Sequence, residues 1–150
     1  MNPTVLIVED EEDDVFFLKR AFAKGAPQLT VRVARDGEEA IADLERAGLP
    51  GKEVEHPLPS LVLLDLKLPR KSGLEVLQWM RARPETREVP VIIRSSSNVP
   101  SDLERAYELG CSFYILKQVG FGGLHDFAKC IGDFLEVQRR NTLRLPLFGI

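Results

Sequence analysis

Cysteine and histidine are scarce in this chain, two of each among 150 residues. Cys111 and Cys130 form no CxxC pair and no Cys/His grouping, which argues against a disulfide framework or a thiolate metal site. They read instead as two buried thiols in a reducing cytoplasm. His56 and His125 have no Cys or His neighbour at ligand spacing and read as surface residues. An excess of basic charge is also missing. The formal charge of -3 leaves no electrostatic footprint for nucleic acid or an anionic membrane. No segment approaches the roughly 18 consecutive apolar residues of a membrane helix. The N-terminus enters a strand at once and offers no signal peptide. Internal repeats and low-complexity segments are absent as well. With 44% hydrophobic residues, the length suits one domain with one core.

Short apolar runs alternate with helical periodicity along this domain. Val5–Val8 reads as a strand covered on both faces, Leu61–Leu64, Val89–Ile93 and Phe113–Leu116 as further strands, and Leu29–Ala34, which alternates, as another. Between them lie helical patterns. The first carries Phe17, Leu18, Ala21 and Phe22, with Asp13 or Asp14 available as its cap and Gly25 and Pro27 ending it. The second follows Asp36-Gly37 with Ala40, Ile41, Leu44 and Ala47, closed by Gly48. The third, Gly73–Arg83, turns Leu74, Leu77 and Met80 inward and stops at Pro84. The fourth opens at Pro100 or Ser101 and is capped by Gly110. The last carries a stripe of Leu124, Phe127, Ala128, Ile131, Phe134 and Leu135.

The segment 49–59, rich in Pro and Gly, reads as an exposed loop. Phe16, Phe17, Phe22, Phe127 and Phe134 are expected in the core, and Trp79 either partly buried or at a contact. Residues 1–140 are taken as the domain and 141–150 as a tail, of which Thr142 to Ile150 does not fit a helix. That tail is either frayed or an arm docking on a second protomer. Five strands alternating with five helices predict an α/β fold with a parallel sheet.

In such sheets ligands bind beyond the carboxyl ends of the strands. Charged and polar residues gather at those ends here: Glu9 and Asp10 after the first strand, Asp65 after the third, the Ser95 hydroxyl near the fourth and Lys117 after the fifth. A carboxylate at the end of a buried strand needs partners, because burying an ion alone costs several kcal/mol. Glu9 and Asp10 begin a run of six acids that leads straight into a helix, placing it in a strand-to-helix loop. Converging carboxylates suit Mg²⁺, which takes one or two of them with waters and a phosphate oxygen. A nearby lysine suits a phosphoryl group, a hydroxyl adds a donor, and an aspartate can itself attack phosphorus. Arg94, beside a buried strand, is expected to snorkel to the sheet edge.

The motifs Val5-Leu-Ile-Val-Glu-Asp10, Leu61-Val-Leu-Leu-Asp-Leu-Lys-Leu-Pro69 with Gly73, Pro90-Val-Ile-Ile-Arg-Ser95 and Tyr114-Ile-Leu-Lys117 resemble the receiver domain of two-component response regulators. The spacings agree, 30 positions from Asp65 to Ser95 and 22 from Ser95 to Lys117, and the resemblance covers about Thr4 to Val137. It implies a flavodoxin-like strand order 2-1-3-4-5 and a phosphorylation-dependent switch with Asp65 as phosphoacceptor. Asp10, Asp65 and the Lys67 carbonyl would hold Mg²⁺, with Glu9 acting through water. Lys117 would pair with the phosphoryl oxygens, Ser95 would hydrogen-bond them, and Tyr114 would change rotamer in step. The responding surface would span roughly Asp102 to Leu135.

The polar start and apolar stripe of the last helix leave no room for an output domain, so the likeness is to single-domain regulators. The Glu9-Asp10 pair, the long loop after the second helix, the Ala106-Tyr-Glu-Leu-Gly110 segment and the tail resemble the subgroup paired with phytochrome-type kinases. Implied partners are a histidine kinase or phosphotransfer protein, and a second copy through the last helices and tail. Two positions depart from the family pattern. Gln118 replaces the proline of a cis peptide after the lysine, which predicts a trans bond and a differently shaped loop. Lys67 replaces a smaller polar residue at a position that, with Ser97, tunes phosphate loss. An aspartyl phosphatase would want a second acid where Lys67 stands, and a pseudo-receiver would not need the acids, hydroxyl and lysine that are all present.

Overall fold

A computed structural model describes residues 2–47, 49–51, 53–117 and 122–148, with backbone alone beyond residue 141. Gly48 and Gln118 lie outside the described residues, so the expected cap of the second helix and the shape of the loop after Lys117 do too. The elements alternate as expected: β1 (Thr4–Val8), α1 (Glu12–Gly25), β2 (Thr30–Ala34), α2 (Gly37–Ala47), β3 (Leu61–Leu64), α3 (Gly73–Arg81), β4 (Val91–Ser95), α4 (Pro100–Glu108), β5 (Phe113–Leu116) and α5 (Leu124–Phe148). The strands form one sheet in the order β2-β1-β3-β4-β5, and every pair is parallel.

β1 and β3 are buried along their whole length because helices cover both faces of the sheet. Side chains alternate between two cores. Leu6, Val8, Val62 and Leu64 pack with Leu44, Leu77 and Met80 on the α2–α3 side. Val5, Ile7, Leu61 and Leu63 pack with Leu18, Phe22, Ala128 and Ile131 on the α1–α5 side. α1 and α5 approach to backbone contact: a Cβ on Gly25 would stand 2.6 Å from the His125 carbonyl oxygen.

Several expectations need correction. β4 is Val91–Ser95, two residues later than its apolar pattern implies. The Val89 amide closes a turn onto the Thr86 carbonyl, and Pro90 has no N–H to give the ladder. α3 ends at Arg81, since Arg83 precedes Pro84 and the α conformation is disfavoured there. A capping box of Ser72 and Glu75 starts it, and Val76 is buried where Leu74 is only partly so. α1 begins at Glu12 with Glu11 as N-cap and no side-chain cap. Asp13 and Asp14 lie in its first turn, where acids favour the helix dipole.

α5 continues to Phe148 through the segment read as non-helical. Leucine and arginine favour a helix, and Pro146 removes only one of its hydrogen bonds. Phe16 is 59% exposed and Phe134 also faces outward, so neither is core. Cys130 is exposed, being on the outer side of α5. His56 is largely buried, its Nε2 3.3 Å from Asp43 Oδ2, and Asp43 in turn takes a two-point bond from Arg32.

Candidate functional site

The strand order brings the charged termini to one edge. Beyond the strand ends the ladder continues, and it fixes each backbone: the Glu9 amide bonds the Ala34 carbonyl, the Asp65 amide that of Val8, and the Lys117 amide that of Ser95 at 2.8 Å. The end of β3 is held from behind by α3. A Cβ on Gly73 would stand 2.1 Å from the Asp65 carbonyl oxygen, so only glycine permits this approach.

Lys117 Nζ lies 2.8 Å from Glu9 Oε1, 3.0 Å from Asp65 Oδ2 and 3.5 Å from Asp14 Oδ2. Glu9 Oε2 also accepts from the Glu11 amide at 3.1 Å, and Asp65 Oδ1 from the Lys67 amide at 3.3 Å. Oxygens of Glu9, Asp10 and Asp65 all lie within 4.8 Å of one another. Glu9 and Asp65 are buried, and Asp10 is the most open of the three. Burial pushes the Glu9 carboxyl up to about 7; the Lys117 hydrogen bond opposes this and the Asp65 charge adds to it. Lys117 loses by burial, but its bonds to Glu9 and Asp65 outweigh that and raise it. Three converging oxygen donors, two of them buried and one open to water, fit a hard divalent cation.

Ser95 ends β4 fully buried, and its hydroxyl accepts from the Ser97 amide at 3.2 Å. Tyr114 Oη donates to the Ser97 carbonyl at 2.8 Å, and burial raises its phenol. Ser97 Oγ donates to Asp102 at 2.5 Å, so one buried serine links the end of β4, β5 and the first turn of α4. Lys67 is exposed at the rim.

The structure thus unites Glu9, Asp10, Asp65 and Lys117, and joins Ser95 and Tyr114 through Ser97. It adds a pairing that sequence reasoning missed, Arg94 with Asp14. Arg94 reaches toward the sheet edge, where acids rather than water receive it. It is 5% exposed, with Nη1 2.9 Å from Asp14 Oδ1 and 3.9 Å from Glu9 Oε1. The available signal was an arginine inside an apolar strand and an acid one helical turn beyond Asp10.

Comparison with known proteins agrees with this geometry. The family described as the response regulator receiver domain matches residues 5–129. The response regulator Rcp1 of Synechocystis sp. is 32% identical over 136 residues, covering 89% of this chain and 90% of the relative. A solved structure of the phosphorylated cyanobacterial phytochrome response regulator RcpA superposes with a TM-score of 0.79 at 32% identity, covering 90% of this chain and 94% of that one. The Mn²⁺-bound form of response regulator Rcp1 gives 0.76 at 30% identity over 88% and 93%.

Proposed function

This chain belongs to the response-regulator receiver family, and from that premise we propose that Asp65 accepts a phosphoryl group and thereby switches a signalling surface. The carrying observation is that Asp65 stands 3.0 Å from Lys117 in a pocket where Glu9, Asp10 and Asp65 oxygens converge. An Asp65 carboxylate oxygen attacks phosphorus as the bond to the donor imidazole nitrogen breaks, and the product is an aspartyl phosphate. Asp10, Asp65 and the Lys67 carbonyl would hold Mg²⁺, with Glu9 acting through water. The ion would neutralise charge on the phosphoryl oxygens. Lys117 faces Glu9, Asp65 and Asp14, and it exchanges the longest of these contacts, 3.5 Å to Asp14, for the new phosphoryl. Ser95 turns its hydroxyl to the same oxygens and gives up its bond from Ser97. Tyr114 then loses the carbonyl that now holds its hydroxyl, and the region Asp102 to Leu135 carries the change outward.

RcpA is a phytochrome response regulator, and by that kinship the donor proposed here is a histidine kinase of phytochrome type, or a phosphotransfer protein fed by one. The proposed role is a switch acting through protein contacts or as a phosphate shuttle, in the cytoplasm. Among the described residues no helix is long and apolar enough to cross a membrane.

Acetyl phosphate with Mg²⁺ tests the chemistry. The expected outcome is a single phosphoryl mass increase that is abolished in Asp65→Asn. Continuous turnover of phosphate esters would instead favour a phosphatase, and no reaction a pseudo-receiver. The end of α5 is proposed as a dimer contact. Sedimentation should give a dimer that becomes a monomer when residues after Thr142 are removed; two monomers would end that idea.

A further inference from the structure

We infer that the buried Arg94–Asp14 ion pair is a positioning element that keeps Lys117 on Glu9 and Asp65 and sets the site's affinity for its divalent cation. The inference deepens the reading above and rests on it. Lys117 has three acids within reach, and only two of them, Glu9 and Asp65, belong to the converging set. Asp14 is a competitor. Left unpaired and largely buried, its carboxylate would draw the lysine away from the phosphoacceptor.

Arg94 removes that competition. It takes Asp14 Oδ1 at 2.9 Å and leaves the other oxygen at 3.5 Å from Lys117, longer than the 2.8 and 3.0 Å bonds that Lys117 makes to Glu9 and Asp65. A guanidinium suits the task because it stays charged when buried: Nη1 donates to Asp14 Oδ1, and the same nitrogen makes a longer ionic contact, 3.9 Å, with Glu9 Oε1. The two members therefore act on the site with opposite sign. Arg94 lowers the negative potential around Glu9, and Asp14 restores it by holding Arg94 away. Asp14→Asn would free Arg94 to close on Glu9, whereas Arg94→Leu would leave an extra uncompensated anion beside the site.

Calorimetric titration of the whole protein with Mg²⁺ reads this directly, without phosphorylation. Asp14→Asn is expected to weaken Mg²⁺ binding about fivefold, Arg94→Leu to tighten it by a similar factor, and the double variant to return to within about twofold of wild type. A purely structural pair would move both single variants in the same direction. Four equal affinities, or two weakened single variants, overturn the inference. Should Arg94→Leu not fold, the double variant still reports, since it buries no unpaired charge. Asp14→Asn weaker than both wild type and the double variant supports the inference, and Asp14→Asn equal to wild type overturns it. Wild type that takes up no Mg²⁺ overturns the metal reading and this inference together, whereas wild-type binding with a flat series overturns the inference alone.

Discussion

β3 and β5 each deliver one charged side chain to the same site, yet they are built differently. β3 lies between β1 and β4 and is buried from Leu61 to Leu64. β5 is an edge strand in which Phe113 is 58% and Leu116 48% exposed. The residue that would form a covalent bond follows the strand with no room to shift, clamped behind by Gly73. The lysine that would read that bond follows the strand that borders solvent. The difference separates the two demands on a switch: chemistry at a fixed point, and response where surface can rearrange without opening the core.

Substitutions can break or sharpen this contrast. Leu64→Ala, wholly inside β3, should cost about 4 kcal/mol in urea unfolding. Gly73→Ala should cost about 3 kcal/mol, because its methyl must push α3 off the Asp65 carbonyl. An unchanged midpoint would mean that the end of β3 is as pliant as the edge. Leu116→Ala on β5 should cost only about 0.5 kcal/mol; a loss matching that of Leu64→Ala would erase the distinction. The smallest effect is expected at the exposed rim after β3. There the Lys67 ammonium would shield the phosphoryl group from water, and Lys67→Asn should shorten the phosphate lifetime about twofold. Equal lifetimes would remove Lys67 from the account.

β3 and β5 were both legible in the sequence to the residue, because each is a four-residue apolar run, too short for a helix, bounded by polar residues. The acids and lysine at the strand ends were legible for the same reason, since strand order alone brings them together. β4 was not, because its last two residues, Arg94 and Ser95, are polar yet wholly within the strand. Their burial depends on partners far away in the chain: Asp14 stands 80 positions before Arg94. A local pattern cannot report such a pairing. His56 was misread for the same reason, as its partner Asp43 comes from α2. Phe16 and Phe134 show the reverse error: aromatic character marks a core position only when the helix face agrees, and theirs faces outward.

At Gly25 α1 meets the backbone of α5 so closely that even a methyl group would collide with the His125 carbonyl. That position is closed to mutational drift, and α5 inherits a fixed bearing from it. The outward residues of α5, Cys130 and Phe134 among them, carry no such obligation. Gene duplicates could therefore acquire new partners by exchanging those side chains alone, leaving the switch beneath them unaltered.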